Sequence, residues 1–256
     1  MNPAPLPTRM AVFVYGLISY AIFFATFLYA LGFIGGFLVP KGIDSAPAIP
    51  LGAALLVNAA LLALFAGQHS VMARPFFKRW LTRFIPTAAE RSTYVLASSI
   101  ALVVLFWLWQ PMGGVIWQVE NPLARALLWA GFGFGWGLVL VTTFLINHFD
   151  LFGLRQVWLF LLGRPYTQLR FVTPGPYKLV RHPLYVGWIA AFWFTPQMTA
   201  AHLFFAALAS AYILVAIRFE ERDLTDAHPE YAAYRARTPM LVPQLSAKSS
   251  DDPRIA

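Results

Sequence analysis

Four stretches of this chain, at 10–39, 46–73, 92–119 and 126–147, each run for more than twenty residues without Asp, Glu, Lys or Arg, and a fifth at 184–217 runs for 34. A helix crosses a ~30 Å hydrocarbon core with about 20 apolar residues. Length alone therefore makes each of the first four a spanning helix. The first run is too long for the core of a signal peptide and lacks a cleavage-like end, so it is expected to stay as a helix. As one helix the fifth run would reach ~51 Å, well beyond the bilayer. Proline disfavours helix in the residue before it and removes a backbone donor, so Thr195-Pro196-Gln197 splits the run into arms near 184–194 and 198–217.

Charged residues make up only 12% of the chain, against roughly 25% in soluble domains. The net charge of +8 is dispersed between apolar runs and leaves no continuous basic surface for a phosphate backbone, which excludes nucleic-acid binding. With no cysteine, disulfides, thiolate metal sites and cysteine nucleophiles are also excluded. The loops at 74–91 and 148–183 carry five basic residues and one acidic residue each. The loops around Lys41/Asp44 and Glu120/Arg125 are neutral. Basic loops stay on the cytoplasmic side, which puts both termini there and converges 74–91, 148–183 and 218–243. The expected fold is all-α integral membrane: four spanning helices plus a C-terminal helical hairpin broken at Pro196. The expected domain is 1–246, with 247–256 a disordered tail, and a bacterial inner membrane is the expected location.

Gly131, Gly133, Gly135 and Gly137 form two small-xxx-small pairs, a pattern for close helix packing. It is not the dinucleotide fingerprint, since Trp136 and Leu138 stand where a third glycine is required.

Ionisable groups at a membrane boundary are costly and therefore mark sites. The segment 175–185 ends a basic loop and opens the hairpin. Pro183 begins a helix whose free N–H groups lie beside Arg181 and His182, an arrangement suited to an anion or polar ligand; a basic interfacial anchor fits the same residues. At the far end of the hairpin, Arg218-Phe219-Glu220-Glu221-Arg222-Asp223 has the spacing of a solvated helix with i,i+4 ion pairs. The hairpin, however, returns Glu220 to the neighbourhood of His182.

The pairing of Arg-His-Pro-Leu-Tyr at 181–185 with Glu-Glu-Arg-Asp-Leu at 220–224 and Tyr231-x-x-Tyr234 resembles the isoprenylcysteine carboxyl methyltransferase and phospholipid methyltransferase group of integral-membrane enzymes. That resemblance implies an S-adenosylmethionine cofactor held by a cytoplasmic C-terminal segment, with Tyr177, Arg181, His182, Tyr185, Glu220, Glu221, Tyr231 and Tyr234 around it. Membrane sterol reductases share this pattern but use NADPH. Gln68-His69-Ser70 with Arg74-Pro75, and Asn147-His148-Phe149-Asp150 with Arg155-Gln156, resemble the methanethiol S-methyltransferase branch and its NnrU-like relatives.

Methylating a thiol requires alignment, exclusion of water and removal of the thiol proton. A thiol such as cysteine titrates near ~8.5 and only its thiolate is a strong nucleophile, so a base helps. His69 is one candidate base, and His148 with Asp150 is another. Arg74, Arg155 and Gln156 are placed to stabilise a thiolate or hold the acidic groups, and Arg74 also fits an interfacial anchor. The expected activity is methylation of a small volatile thiol, methanethiol, to dimethyl sulfide, with no metal and no protein partner. The alternatives are a lipid or isoprenylcysteine carboxyl methyltransferase, an NADPH-dependent reductase, and a non-catalytic NnrU-like protein.

Overall fold

The structure is a computed structural model that describes residues 4–244, so the tail expected at 247–256 lies outside the described residues. Long apolar helices dominate it. They are α1 (Leu6–Gly35), α2 (Leu51–Ala73), the short α3 (Pro75–Leu81) and α4 (Glu90–Leu108). A strand, β1 (Val115–Gln118), precedes α5 (Pro122–Ile146), which is followed by the short α6 (His148–Leu151) and α7 (Leu154–Leu161). The C-terminal third comprises α8 (Pro183–Trp193), β2 (Gln197–Thr199), α9 (Ala200–Ala227) and α10 (Tyr231–Arg237). Five helices, at Leu6–Gly35, Leu51–Ala73, Thr87–Leu108, Pro122–Ile146 and Ala200–Ala227, are long and apolar enough to cross a membrane. Their outward faces carry exposed Leu, Ile, Val and Phe side chains, as expected of helices solvated by lipid. The chain is an integral membrane protein.

The hairpin breaks where the sequence reading put it, between Trp193 and Ala200. Its turn corrects the all-α expectation. Gln197–Thr199 pairs antiparallel with Val115–Gln118, so the turn and the end of the third apolar run satisfy each other's backbone groups. That run is accordingly helical only to Leu108, where Pro111 and two glycines with positive φ, Gly113 and Gly114, end it. At the same end Trp109 donates to the Ile43 carbonyl at 3.2 Å and Asn58 to the Gln110 carbonyl at 2.7 Å. His202, fully buried, bridges Asp44 at 3.2 Å and the Phe192 carbonyl at 2.9 Å.

Helix α8 lies against α5 through glycines. A Cβ on Gly135 would sit 2.6 Å from the Ala191 nitrogen, and one on Gly187 would sit 2.8 Å from the Gly135 oxygen. Only backbone can approach backbone this closely. Of the two glycine pairs on α5, Gly135 makes this contact and Gly131 makes room for the Phe194 ring at the end of α8, whereas Gly133 and Gly137 face open space. The principal core is aromatic, with Phe33, Phe106, Trp109, Phe132, Trp136, Phe192 and Phe205 in one buried cluster.

Candidate functional site

At the opposite end of the bundle from the small sheet, the start of α8, the end of α9 and α10 close around one carboxylate. Glu221 is 5% exposed. Its Oε1 accepts from Arg181 Nε at 2.7 Å and lies 3.1 Å from His182 Nε2, and its Oε2 accepts from Arg235 Nε at 3.1 Å. A carboxylate this deep is tolerable only with such charged donors. The other Arg181 nitrogens are spent on chain geometry, since Nη1 donates to the carbonyls of Arg235 and Thr238. The Arg181 and His182 backbone N–H groups donate to Pro239 and Met240 carbonyls at 2.8 and 3.2 Å. The chain after α10 is thereby clipped to the start of the hairpin. Tyr234 ties α10 to the same place by donating to the Tyr177 carbonyl.

Glu220 plays the complementary part. Its Oε2 accepts from Tyr185 at 2.8 Å and lies 4.0 Å from His182 Nδ1, yet its side chain is 45% exposed. The sequence placed Glu220 beside His182; the residue in hydrogen-bond contact with the imidazole is Glu221, one step along the helix. The i,i+4 pairs expected within α9 are replaced by pairs between elements, among them Arg74 to Asp223 at 3.2 Å. Burial, with Glu220 and Tyr234 nearby, pushes the Tyr177 phenol above its ordinary range. Burial and then Glu221 do the same to Tyr231, whose hydroxyl is buried with no partner. Burial carries Tyr234 up to about 12. All three phenols therefore stay protonated as donors.

His69, on the last turns of α2, belongs to this end. Tyr94 Oη of α4 lies 2.8 Å from its Nε2 and 3.1 Å from its Nδ1, and Ser98 Oγ lies 3.2 Å from Nδ1. The next residue along α2, Ser70, meets Tyr212 of α9 at 3.0 Å, and Arg74 meets Asp223, so the end of α2 lies against the part of α9 that carries Glu220. Arg74 braces this junction through Asp223 and by lying 5.4 Å over the Phe219 ring. Tyr94, Ser98 and Tyr212 were not singled out from the sequence. Ser98, a hydroxyl inside an apolar run, is the one signal that points to this cluster.

The other histidine is built differently. Asn147, at φ 150°, turns the chain out of α5, and its side chain caps α6 by accepting from the Asp150 N–H. His148 is thereby folded inward, 3% exposed, stacked on Phe144 at 4.1 Å. Its Nε2 lies 2.8 Å from the Tyr20 hydroxyl and its Nδ1 2.8 Å from Thr143 Oγ1. Burial lowers its pKa, so the ring is neutral near pH 7. Asp150 does not support it. That carboxylate accepts from Arg155 at 2.9 Å and from Tyr166 at 3.2 Å, and Arg155 also donates to Thr167, which holds down the loop after α7. Gln156 donates to the Asp150 carbonyl at 3.0 Å, while its own carbonyl oxygen is buried without a partner.

A cavity of about 630 Å³ opens here, bounded by Lys78, Glu90, Arg91, Asp150, Gln156 and Tyr166 among others. Arg91 forms part of its wall, donates to the Leu151 carbonyl at 2.7 Å and lies 5.0 Å over the Tyr94 ring. The cavity and the His69 cluster are thus separated by one guanidinium. Among the described residues no group of three or more His, Asp or Glu side chains is disposed to hold a metal ion.

No protein-family model matches this chain, and no solved structure matches it. Characterised sequences do. The chain is 53% identical over 243 residues to a methanethiol S-methyltransferase from Crocosphaera subtropica, covering 94% of this chain and 95% of that protein. It is 53% identical to one from Mycobacterium tuberculosis, covering 92% and 97%. It is also similar to nurim from Sus scrofa, at 30% identity over 64% of this chain and 65% of that protein. The matches to the first two run through α2, α4 and the hairpin alike, and by them the chain belongs to the methanethiol S-methyltransferase family.

Proposed function

We propose that this protein methylates methanethiol to dimethyl sulfide with S-adenosylmethionine as donor, at the cytoplasmic face of a bacterial inner membrane. The observation that carries this reading is the contact of the His69 end of α2 with α9, through Ser70–Tyr212 and Arg74–Asp223, on the helix whose Glu220 accepts from Tyr185. A thiol base and the polar side chains assigned to the cofactor then lie on adjoining elements. The names of the relatives supply the substrate. The surplus of basic residues in 74–91 and 148–183 supplies the side, by retention of cationic loops.

The donor fits what the segment offers. The half-exposed Glu220 carboxylate suits a sulfonium cation, and the unpartnered Tyr231 hydroxyl is a buried donor in want of an acceptor. Arg181, His182 and Glu221 lock the segment's shape, while Tyr177, Tyr185, Tyr231 and Tyr234 line it. When bound, S-adenosylmethionine supplies an electrophilic methyl group on a positively charged sulfur. The chain's own part is to hold a small thiol in line, keep water out with the aromatic core, and take the thiol proton. His69 is the base in this reading, because it is partly accessible and stands next to the Ser70–Tyr212 contact between α2 and α9. His148, clamped between Phe144, Tyr20 and Thr143, positions α5 and α6 against α1. Asp150, Arg155 and Gln156 secure the loop that roofs the cavity, and Arg74 fastens α2 to α9.

The decisive experiment uses purified protein in detergent. S-adenosylhomocysteine is expected to raise its melting temperature and NADPH to leave it unchanged, and protein given methanethiol and S-adenosylmethionine is expected to release dimethyl sulfide. Stabilisation by NADPH alone, or no dimethyl sulfide, refutes the proposal. His69→Gln is expected to slow turnover by about 10²-fold or more with binding intact, and His148→Gln to leave turnover per folded molecule within a few fold. The opposite pattern transfers the base to His148.

A further inference from the structure

The Tyr94 hydroxyl lies against both nitrogens of the His69 ring. Its oxygen is within 2.8 Å of Nε2 and 3.1 Å of Nδ1, and the residue is only 9% exposed. Stacking on Phe65 at 5.3 Å holds the imidazole from the side. Ser98 Oγ, which also accepts from Gln68 at 3.3 Å, lies at Nδ1. With Gln68 donating to it, Ser98 is free to accept the Nδ1 proton as well, and in that tautomer the basic nitrogen is Nε2, to which Tyr94 Oη is the nearer hydroxyl. On the other side of the ring, Arg91 lies over the Tyr94 face.

We infer that Tyr94 is a catalytic residue, the proton relay between the thiol and His69. The inference rests on the thiol-methylation reading above and extends it to a group which that reading leaves out. In the step, the thiol S–H bond breaks with its electron pair kept on sulfur, and the proton forms a new O–H bond on Tyr94. The original Tyr94 O–H bond breaks as its proton forms an N–H bond to His69 Nε2. The products are a thiolate, a neutral Tyr94 and an imidazolium.

The test compares methanethiol with the larger but more acidic trifluoroethanethiol at a pH of about 8.5, the ordinary thiol pKa, where the electron-withdrawing fluorines leave the second largely ionised; every variant is referred to wild type on the same thiol, so the difference in size cancels. Tyr94→Phe keeps the ring and removes the relay. It is expected to retain thermal stabilisation by S-adenosylhomocysteine, to lose about 10²-fold in turnover of methanethiol, and to stay within about threefold of wild type on trifluoroethanethiol. His69→Gln is expected to show the same signature, and the double variant to be no worse than either single, as for residues acting as one unit. Wild-type turnover of methanethiol by Tyr94→Phe overturns the relay and leaves the methyltransferase reading standing. An equal loss on both thiols also overturns it, since the deficit then lies outside proton removal. Absence of dimethyl sulfide from wild type overturns both. Should Tyr94→Phe lose stabilisation by S-adenosylhomocysteine, 3-fluorotyrosine placed at 94 keeps the shape and acidifies the hydroxyl. The relay then requires a change of more than about twofold on methanethiol and none on trifluoroethanethiol, and identical rates overturn it.

Discussion

Replacing Glu221 by glutamine removes one charge and almost no volume, and the structure says where the cost falls. The side chain is 6% exposed, and so are its Arg181 and His182 partners to only 11% and 4%. Arg181 keeps its two carbonyl acceptors in the variant but loses its counter-charge while its own side chain stays largely buried. Breaking a buried pair at one end costs about 3–5 kcal/mol, and the amide retained by glutamine keeps one acceptor, so about 3 kcal/mol is the expected loss. For a chain of this size each kcal/mol lowers Tm by about 2–4 °C, which predicts a drop of roughly 6–12 °C. Arg235 binds the same carboxylate at 3.1 Å, but its side chain is 55% exposed. Solvent screening holds that pair to about 0–1 kcal/mol, and Arg235→Ala is expected to melt within about 4 °C of wild type. Intrinsic tryptophan fluorescence of detergent-solubilised protein, followed on heating, measures both. A Glu221→Gln variant that melts no lower than Arg235→Ala would refute the assignment of Glu221 as the carboxylate that holds the segment together.

Gly135→Ala is expected to disrupt the α5–α8 contact and reduce folded yield sharply, because its Cβ meets backbone at 2.6 Å, while Gly133→Ala, facing open space, is expected to be neutral or slightly stabilising; expression and size-exclusion profiles of the two distinguish them. The buried His148 has a lowered pKa, so below pH ~6.5 the unfolded chain binds a proton that the folded ring refuses, and stability falls with pH until the folded pKa is passed. In His148→Gln the Tm difference between about pH 7.5 and 5.5 is expected to shrink; an unchanged difference removes His148 from the acid limb. Reporters fused after Arg79 and after Asp150 are expected to read cytoplasmic and one at 43–47 external, and an external signal at Asp150 would put the two basic loops on opposite sides.

Much of the hairpin was legible because proline and charge are local signals. Pro196 marks the break, and the basic and acidic motifs at 181–182 and 220–221 mark its two ends. The phase of the helix was not. Glu220 and Glu221 stand about 100° apart around a 3.6-residue turn, and nothing in the run Glu-Glu-Arg-Asp says which one faces inward; packing of α9 against Arg181 decides it. The two histidine motifs looked equivalent for a similar reason. Each follows an apolar run and has polar residues beside it, but the positive φ at Asn147 swings His148 under α5, a backbone event without a periodic signature. The β1–β2 pairing joins segments some eighty residues apart and lies inside an apolar run read as helix, where hydropathy alone does not separate strand from span. Tyr94 and Tyr212 were hidden because a tyrosine scores as apolar in such a run, although its hydroxyl needs a partner when buried.

The clip formed by the Pro239 and Met240 carbonyls on the Arg181 and His182 amides has a consequence for how the protein is made. Chains leave the ribosome N-terminus first, so every membrane-length helix, α9 included, is synthesised before the residues that close the clip. The membrane-length helices and the closure of the Glu221 end are therefore separable in the chain: one truncated after α9 would carry every span yet lack α10 and the two carbonyls of the clip, so insertion could be complete while that end stayed open.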